Sequence, residues 1–245
     1  MEKIHELLGY ENIKIYQNDD MFSFSLDSML LAHFIDCKNA KKIIDLGTGN
    51  APIPLFLTLK TDAKIDGIEI QKAVYDLAVK SVEINKFKEQ ITLYNCDLKE
   101  VYQKLGANTY DIVCSNPPYF KYKESSFINK NDYLTIARHE VMVTLDELVL
   151  EMNRLLKDGG KCYIVHRVNR LDDVILTLKK YKFGIKRIRF IYSKETNEEA
   201  LSFLIEAKKN RPSDVVVEKG IVVLDQNGNY TEEVRKIFNF KKGDK

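Results

Sequence analysis

The stretch that decides the fold is a glycine turn after a short apolar run, and it reads Asp45-Leu46-Gly47-Thr48-Gly49-Asn50-Ala51. It joins a predicted strand, Lys42–Leu46, to a predicted helix, Pro52–Leu59. Glycines here let the backbone bend tightly and approach a ligand, and the start of the helix presents free N–H groups. Ala51 stands where a dinucleotide-binding turn has its third glycine. The turn suits a nucleotide-like ligand, but a plain strand-to-helix connection would look similar.

Outward from this turn, strands and helices alternate at short spacing. The predicted strands are Lys42–Leu46, Lys64–Glu69, Ile91–Asn95, Tyr110–Ser115 and Lys161–Val165. The predicted helices are Pro52–Leu59, Ala73–Asn85, Asp97–Leu105 and Leu145–Leu156. This alternation predicts an α/β fold with a mostly parallel, Rossmann-like sheet and helices on both faces.

The last third of the chain changes character. After a helix at Asp172–Lys182, two strands, Ile185–Tyr192 and Ala200–Ala207, follow each other without a helix between them. Strands joined in this way pair antiparallel, so we expect an antiparallel edge pair and seven strands in all.

The chain is predicted to form one domain, with residues 36–245 as the main domain and residues 1–35 as an N-terminal addition. Within the addition, Ile13–Gln17 and Phe22–Phe24 suggest a hairpin, and a helix follows from near Asp27. The segment from Tyr119 to about Arg138 lacks a regular pattern. Loops of that length in compact domains are usually functional.

Composition limits the class of protein. The 245 residues carry 38 basic and 36 acidic side chains, a balance that permits nucleic-acid binding without implying it. The four cysteines are far apart and form no CxxC pair, which is typical of a reducing compartment. The sequence shows no signal peptide and no apolar run of the roughly 18 residues that a membrane span needs. We therefore expect a cytoplasmic protein without a bound metal.

Acidic side chains follow two further strands of the predicted sheet. Glu69 ends the second strand, about 20 residues after the glycines, where a carboxylate can accept hydrogen bonds from both ribose hydroxyls. Asp97 follows the third strand and could accept a hydrogen bond from an adenine amino group or serve as the N-cap of the next helix. Because the carboxyl ends of parallel strands share one edge, these contacts predict one adenosine-containing ligand lying across the sheet.

The fourth strand leads into the motif Asn116-Pro117-Pro118-Tyr119. An aromatic amine is a poor nucleophile because its lone pair is delocalised into the ring. If the Asn116 side-chain oxygen and the Pro117 carbonyl each accept one amine hydrogen, the lone pair is aimed at an incoming methyl group. The prolines fix the carbonyl in place, so the acceptors need no reorganisation. Tyr119 offers a ring on which a planar base can stack.

With these motifs, the chain resembles the class I S-adenosylmethionine-dependent methyltransferases. More narrowly, it looks like the bacterial adenine-N(6) methyltransferases that act on valine tRNA next to the anticodon. The likeness covers nearly the whole chain. It includes the entry segment Phe22–Leu31, the glycine turn, Asn116–Phe120, Ala137–Glu140, Val165–Arg167 and Gly228–Val234. The resemblance implies S-adenosylmethionine as the cofactor and an RNA partner, with the exocyclic amino group of adenine in tRNA as the target.

The resemblance also implies roles for particular residues. Those expected around the cofactor are Asp45, Gly47, Thr48, Gly49, Asn50, Glu69, Asp97 and Asn116, with Asp27 and its neighbours closing over it. Asp27 could equally be the N-cap of the helix that runs to Phe34. Those that could meet RNA are Lys121, Lys123, Lys130, Arg138 and His139, although charged loop residues are often simply solvated. His166 has no assigned role.

Three alternatives stay open at this point. The same four-residue motif serves protein-glutamine N-methyltransferases, which usually carry a helical substrate domain before the core, whereas only about 35 residues precede it here. Guanine amino-group methyltransferases of rRNA often have Phe in place of Tyr119, and a duplicated domain. A non-catalytic RNA-binding protein on this scaffold would be favoured by loss of Glu69 or of the Asn116 motif, and both are present.

Overall fold

The computed structural model describes residues 2–7, 10–18, 25–117, 143–242 and 244. Its strands are β1 (Glu2–Leu7), β2 (Tyr10–Asn18), β3 (Lys42–Leu46), β4 (Lys64–Glu69), β5 (Ile91–Asn95), β6 (Tyr110–Ser115), β7 (Leu156–Arg167), β8 (Phe183–Lys194), β9 (Ser202–Lys209) and β10 (Val216–Leu224). Its α-helices are α1 (Leu26–Phe34), α2 (Pro52–Leu57), α3 (Lys72–Ile84), α4 (Val101–Leu105), α5 (Leu145–Leu155), α6 (Leu171–Lys180) and α7 (Glu232–Phe238).

The main sheet has the order β10-β8-β9-β7-β6-β3-β4-β5. Strands β3 to β7 run parallel, and β9 pairs antiparallel with both β7 and β8. The predicted α/β architecture with an antiparallel pair is therefore confirmed. The expected number of strands was too low, because β10 adds an eighth strand, parallel to β8, outside the pair.

Apolar residues occupy both faces of this sheet, as expected for parallel strands covered by helices. On one face, α1, α2 and α7 pack on residues such as Ile43 and Ile65. On the other face, α4, α5 and α6 pack on residues such as Ile44 and Val113. The alternation of neighbouring residues between the two cores leaves the strand ends as the place where polar groups can meet a ligand.

The N-terminal hairpin differs from the predicted one. Ile13–Gln17 does lie in a strand, but its partner is Glu2–Leu7, whereas Phe22–Phe24 lies outside the described residues. The β1 segment is mostly polar and exposed, so its composition did not indicate a strand. The hairpin packs on α3, where the Tyr16 backbone N–H donates to Ser81 Oγ at 2.9 Å. Among the helices of the described residues, none is both long and apolar enough to span a membrane.

Candidate active site

The glycine turn, Glu69 and Asn116 lie at the carboxyl ends of β3, β4 and β6. Asp45 pairs with Cys114 across β3 and β6, so Gly47 and Asn116 both lie just beyond their strands on the same edge. Glu69, the last residue of β4, pairs with Asn95, the last residue of β5. Because neighbouring strands are only about 4.8 Å apart, these groups border a single surface.

The glycine turn has an unusual backbone that leaves room beside it. Gly47 and Gly49 have φ values of 73° and 60°, and a Cβ built on either would meet no atom within 4 Å. The Thr48 N–H donates to the Ile68 carbonyl at 2.8 Å, which ties the turn to β4. Ala51 also lies in the left-handed region, with φ at 72°. An L-residue in this region costs about 1–2 kcal/mol. The expectation that Ala51 replaces the third glycine was wrong by one position, because the spacing of a G-x-G-x-x-G turn puts that glycine at Pro52.

Glu69 is buried and connects two loops. One of its carboxylate oxygens accepts the Gly49 N–H at 3.0 Å, and the other accepts the Gln71 N–H at 2.8 Å. Burial raises the pKa of this carboxyl, and the backbone hydrogen bonds oppose that shift. A carboxylate has about four acceptor positions, so two bonds leave capacity for ligand hydroxyls.

Among the described residues, Asp45 Oδ2 and Thr48 Oγ1 have no hydrogen-bond partner of good geometry, although the Thr48 side chain is close enough to Asp45 to oppose the rise of its pKa. Burial raises the pKa of Asp45 to about 7. Its other oxygen accepts a weak hydrogen bond from the Cys114 thiol at 3.7 Å. Buried polar atoms normally have partners, so unpaired ones beside an open turn are what a ligand or ordered water would satisfy.

Asn116 follows β6 and is half-buried. Its Nδ2 donates to Ser28 Oγ at 2.9 Å and to Ser25 Oγ at 3.1 Å. The preceding residue, Ser115, is fixed by a hydrogen bond from its hydroxyl to the Leu46 carbonyl at 2.7 Å. Pro117 is half-buried at the end of this described segment. The other predicted residues of the motif and loop lie outside the described residues: Pro118, Tyr119, Lys121, Lys123, Lys130, Arg138 and His139.

Asp97 and Asp27 could each have been a helix N-cap, but neither residue occupies that position in the structure. Helix α4 begins at Val101 with Glu100 as its N-cap, and Asp97 instead accepts the Lys99 N–H at 2.9 Å in a tight turn. The predicted helix start at Asp97 was therefore four residues early. Asp27 lies inside the first turn of α1, and its carboxylate accepts a hydrogen bond from Ser202 Oγ at 3.4 Å. Both carboxylates lie at the carboxyl edge of the sheet.

Asn50 has a structural contact. Its Nδ2 donates to the Tyr16 carbonyl at 2.8 Å, which attaches the glycine turn to β2.

Asn95 was not predicted as a site residue, yet its Nδ2 donates to the carbonyls of Glu69 and Ile70 at 2.8 and 2.9 Å and holds the end of β4. Ser25 and Ser28 were also missed. Its position as the last residue of a predicted strand could have indicated a role for Asn95.

His166 is buried near the end of β7, next to the site edge. Its Nδ1 accepts the Arg167 N–H at 2.9 Å, and burial lowers its pKa to about 4. It is therefore neutral at neutral pH, with its Nδ1 committed to the backbone.

The strand order and the placement of polar groups at one edge define a class I methyltransferase fold. A predicted O-methyltransferase from Agrobacterium tumefaciens superposes with a TM-score of 0.66 at 18% identity, covering 87% of this chain and 96% of that one. A putative class I S-adenosylmethionine-dependent methyltransferase from Listeria monocytogenes superposes with a TM-score of 0.57 at 17% identity, covering 89% and 73%.

The sequence places the chain more narrowly. Residues 12–181 match the model of the methyltransferase small domain family, and the chain belongs to that family. Relatives from Haemophilus influenzae strain PittEE and Dyadobacter fermentans are 27% and 24% identical, over 95% and 89% of this chain and 97% and 89% of theirs. Both are named tRNA1(Val) (adenine(37)-N6)-methyltransferase.

Membership of this family makes the protein a methyltransferase and implies S-adenosylmethionine as its methyl donor. The residues of the glycine turn fit such a cofactor. Open space lies beside Gly47 and Gly49, and among the described residues Asp45 Oδ2 and Thr48 Oγ1 have no hydrogen-bond partner of good geometry.

Proposed function

We propose that this protein transfers a methyl group from S-adenosylmethionine to the exocyclic amino group of an adenine in tRNA. Asn116 is the observation that carries the proposal. Its carboxamide stands at the end of β6, next to the glycine turn, with its nitrogen engaged by two serine hydroxyls. When hydrogen bonds from its nitrogen fix the orientation of an amide, the amide oxygen is held in place as an acceptor.

In this proposal, Asn116 Oδ1 and the Pro117 carbonyl accept the two hydrogens of the target amine. The amine lone pair is then directed out of the base plane. Fixed acceptors favour the charge that develops on nitrogen without reorganising, which is how preorganised sites accelerate reactions. The methylated nitrogen is more acidic than the neutral amine and loses its extra proton to water. Tyr119, outside the described residues, would stack on the base.

The cofactor, when bound, supplies an electrophilic methyl group. Glu69 would accept hydrogen bonds from the ribose hydroxyls and Asp97 from the adenine amino group, while the turn at Gly47–Gly49 would lie against the rest of the molecule. The N-terminal 35 residues would cover this site, since α1 reaches Asn116 and β2 binds Asn50. Positioning of nitrogen and methyl group would supply most of the rate acceleration.

The substrate class comes from the relatives, whose names give adenine 37 of a valine tRNA. This substrate has a planar amino group of the kind that the Asn116 motif is suited to bind. Adenine N6 is conjugated with its ring and needs the activation that two oxygen acceptors provide. The candidates for contacts with RNA phosphates remain Lys121, Lys123, Arg138 and His139. We expect the protein to act in the cytoplasm, where it would meet tRNA.

The test is to incubate the protein with methyl-labelled S-adenosylmethionine and separate pools of unmodified tRNA, rRNA and cellular protein, and then to analyse nucleosides and amino acids. We expect label in tRNA as N6-methyladenosine. Label in N-methylguanosine or in methylglutamine would overturn the substrate assignment, and absence of label from all pools would overturn the activity.

A matched pair of transcripts sharpens this test. A valine tRNA transcript with adenine at the nucleotide named by the relatives, 37, should be methylated, and the same transcript with guanine there should not. Equal labelling of both transcripts would place the target at another nucleotide.

A further inference from the structure

The N-terminus of α1 departs from the usual pattern of helix capping. Ser25 occupies the N-cap position with extended backbone angles, but its side chain makes no capping hydrogen bond. An N-cap serine normally accepts from an N–H of the first turn, a bond worth about 1 kcal/mol. Here the Ser25 hydroxyl oxygen accepts from Asn116 Nδ2 instead, across 91 residues of sequence.

Ser28 makes the same contact from the next turn. It is buried, and its hydroxyl accepts from Asn116 Nδ2 at 2.9 Å. An amide nitrogen has two hydrogens, and these two hydroxyls provide one acceptor for each. Helices α2, α3, α4 and α6 also lack a side-chain cap, but their N-cap residues are poor capping residues. Ser25 is a good capping residue whose hydroxyl binds Asn116 instead, and such departures from local rules are expected at functional sites.

We propose that Ser25 and Ser28 are positioning residues for methyl transfer. They hold the Asn116 carboxamide so that its nitrogen faces α1 and its oxygen faces the reacting amine. Without them the carboxamide can rotate by half a turn and present a donor where the amine needs an acceptor. The proposal rests on the proposed function, since it assigns these serines a part in the role given to Asn116.

The C-terminal end of α1 is anchored to the rest of the protein, which explains how the two serines can be fixed partners of Asn116. Lys60 Nζ donates to the carbonyls of Ala32, His33 and Ile35 at 3.1, 2.5 and 2.5 Å. Arg187 donates to the Phe34 carbonyl at 3.1 Å. The last carbonyls of the helix are thus bound by two cations, which fixes the helix relative to α2 and β8. A helix anchored in this way presents its first turn at a defined position.

The test compares steady-state methylation of tRNA by Ser25→Ala, Ser28→Ala and the double variant. Each single variant should lose about threefold to tenfold in kcat, the effect of one hydrogen bond, and the double variant about 30-fold or more. The KM for tRNA and the Kd for S-adenosylmethionine should change by less than about twofold, because an orientation effect acts in the transition state. Ser25→Thr, which keeps the hydroxyl, should restore the rate. A double variant with kcat within about twofold of the parent would overturn the proposal.

Two controls separate positioning from folding. Thr177→Ala removes another helical hydroxyl, which donates to the Asp173 carbonyl within α6 and has no part in the proposed site, and should leave kcat unchanged. If the Ser28→Ala variant fails to fold, Ser25→Ala decides, because Ser25 is only half-buried. In an Asn116→Ala background the serine changes should have no further effect, and an additional loss there would also contradict the proposal.

These results distinguish the failure of this inference from the failure of the proposed function. If Asn116→Ala is inactive while the double serine variant is fully active, only the positioning role falls. If Asn116→Ala keeps its activity, the role of Asn116 itself falls, and the serines lose theirs with it.

Discussion

The Glu69 carboxylate accepts a hydrogen bond from the Gly49 backbone nitrogen at 3.0 Å, which links the end of β4 to the glycine turn after β3. The second oxygen of Glu69 accepts the Gln71 N–H, so the side chain organises two loops while keeping acceptor capacity. One residue therefore supports the shape of the cofactor site and is a candidate to bind the cofactor itself.

Replacing Glu69 with Gln should weaken S-adenosylmethionine binding before it affects turnover at saturating cofactor. The change removes charge-assisted hydrogen bonds to ribose hydroxyls, and we expect the Kd to rise about 10-fold to 100-fold. Calorimetry measures this directly. A Kd equal to that of the parent protein would remove Glu69 from the site.

Gly49→Ala should place a methyl group in the open space beside the turn. Its positive φ costs about 1–2 kcal/mol of stability for any L-residue, and the new Cβ should lower cofactor affinity as well. Gly228→Ala is the matched control, because Gly228 also has a positive φ of 83° and open space around it, but belongs to the distant turn before α7. Similar cofactor affinity for the two variants would show that the space at Gly49 is not used by the cofactor.

Lys60→Met should destabilise the protein, because it leaves three carbonyls at the end of α1 without their donor. Unsatisfied buried acceptors of this kind lead us to expect a loss of about 2–4 kcal/mol in the free energy of unfolding, measured with urea. Lys64→Met is the control, since the exposed Lys64 ammonium binds a single carbonyl, that of Glu89. A Lys60 variant as stable as the Lys64 variant would contradict the anchoring of α1.

His33, which is half-buried, and His166, which is buried, should each contribute a loss of stability in mild acid, whereas Asp45, whose pKa is raised, contributes in the opposite direction. Burial lowers the pKa of both His33 and His166 to about 4, against 6.5 in the unfolded chain. Between these values the unfolded state binds more protons, so the stabilisation present above the unfolded pKa is lost as pH falls. By about pH 5 the loss should reach about 2 kcal/mol for each histidine.

Unfolding measured at about pH 7.5 and about pH 5 checks this expectation. His33→Phe keeps the aromatic contacts with Phe56 and Phe240, and His166→Asn keeps an acceptor for the Arg167 N–H. The double variant should lose less stability than the parent over this interval. Equal losses would mean that other groups cause the acid sensitivity.

The sequence alone predicted much of the framework. The bounds of β3, β4, β5 and β6 agree with the prediction, because short apolar runs between turn residues carry a strong strand signal. β10 was missed because Glu218-Lys219-Gly220 divides it into two short apolar pieces, the exposed Val216-Val217 and the partly buried Ile221–Leu224. β1 was missed because backbone pairing, rather than its charged composition, makes it a strand.

The candidate site was predictable only in part. Glycines and acids at strand ends follow from rules of local sequence, so Gly47, Gly49 and Glu69 could be proposed in advance. The contacts of Asn116 with Ser25 and Ser28 could not, because they join residues about 90 positions apart and replace the expected cap. Asp27 and Asp97 resembled N-caps in sequence, but the helices begin elsewhere.

The central claim is that Asn116 binds the reacting amine rather than the framework of the cofactor site. The most direct measurement is the single-turnover rate of methyl transfer to tRNA by Asn116→Ala, together with its Kd for S-adenosylmethionine. The account predicts that the rate falls about 100-fold to 1000-fold or more while the Kd stays within about threefold. An unchanged rate, or an equal loss of rate and cofactor affinity, would contradict it.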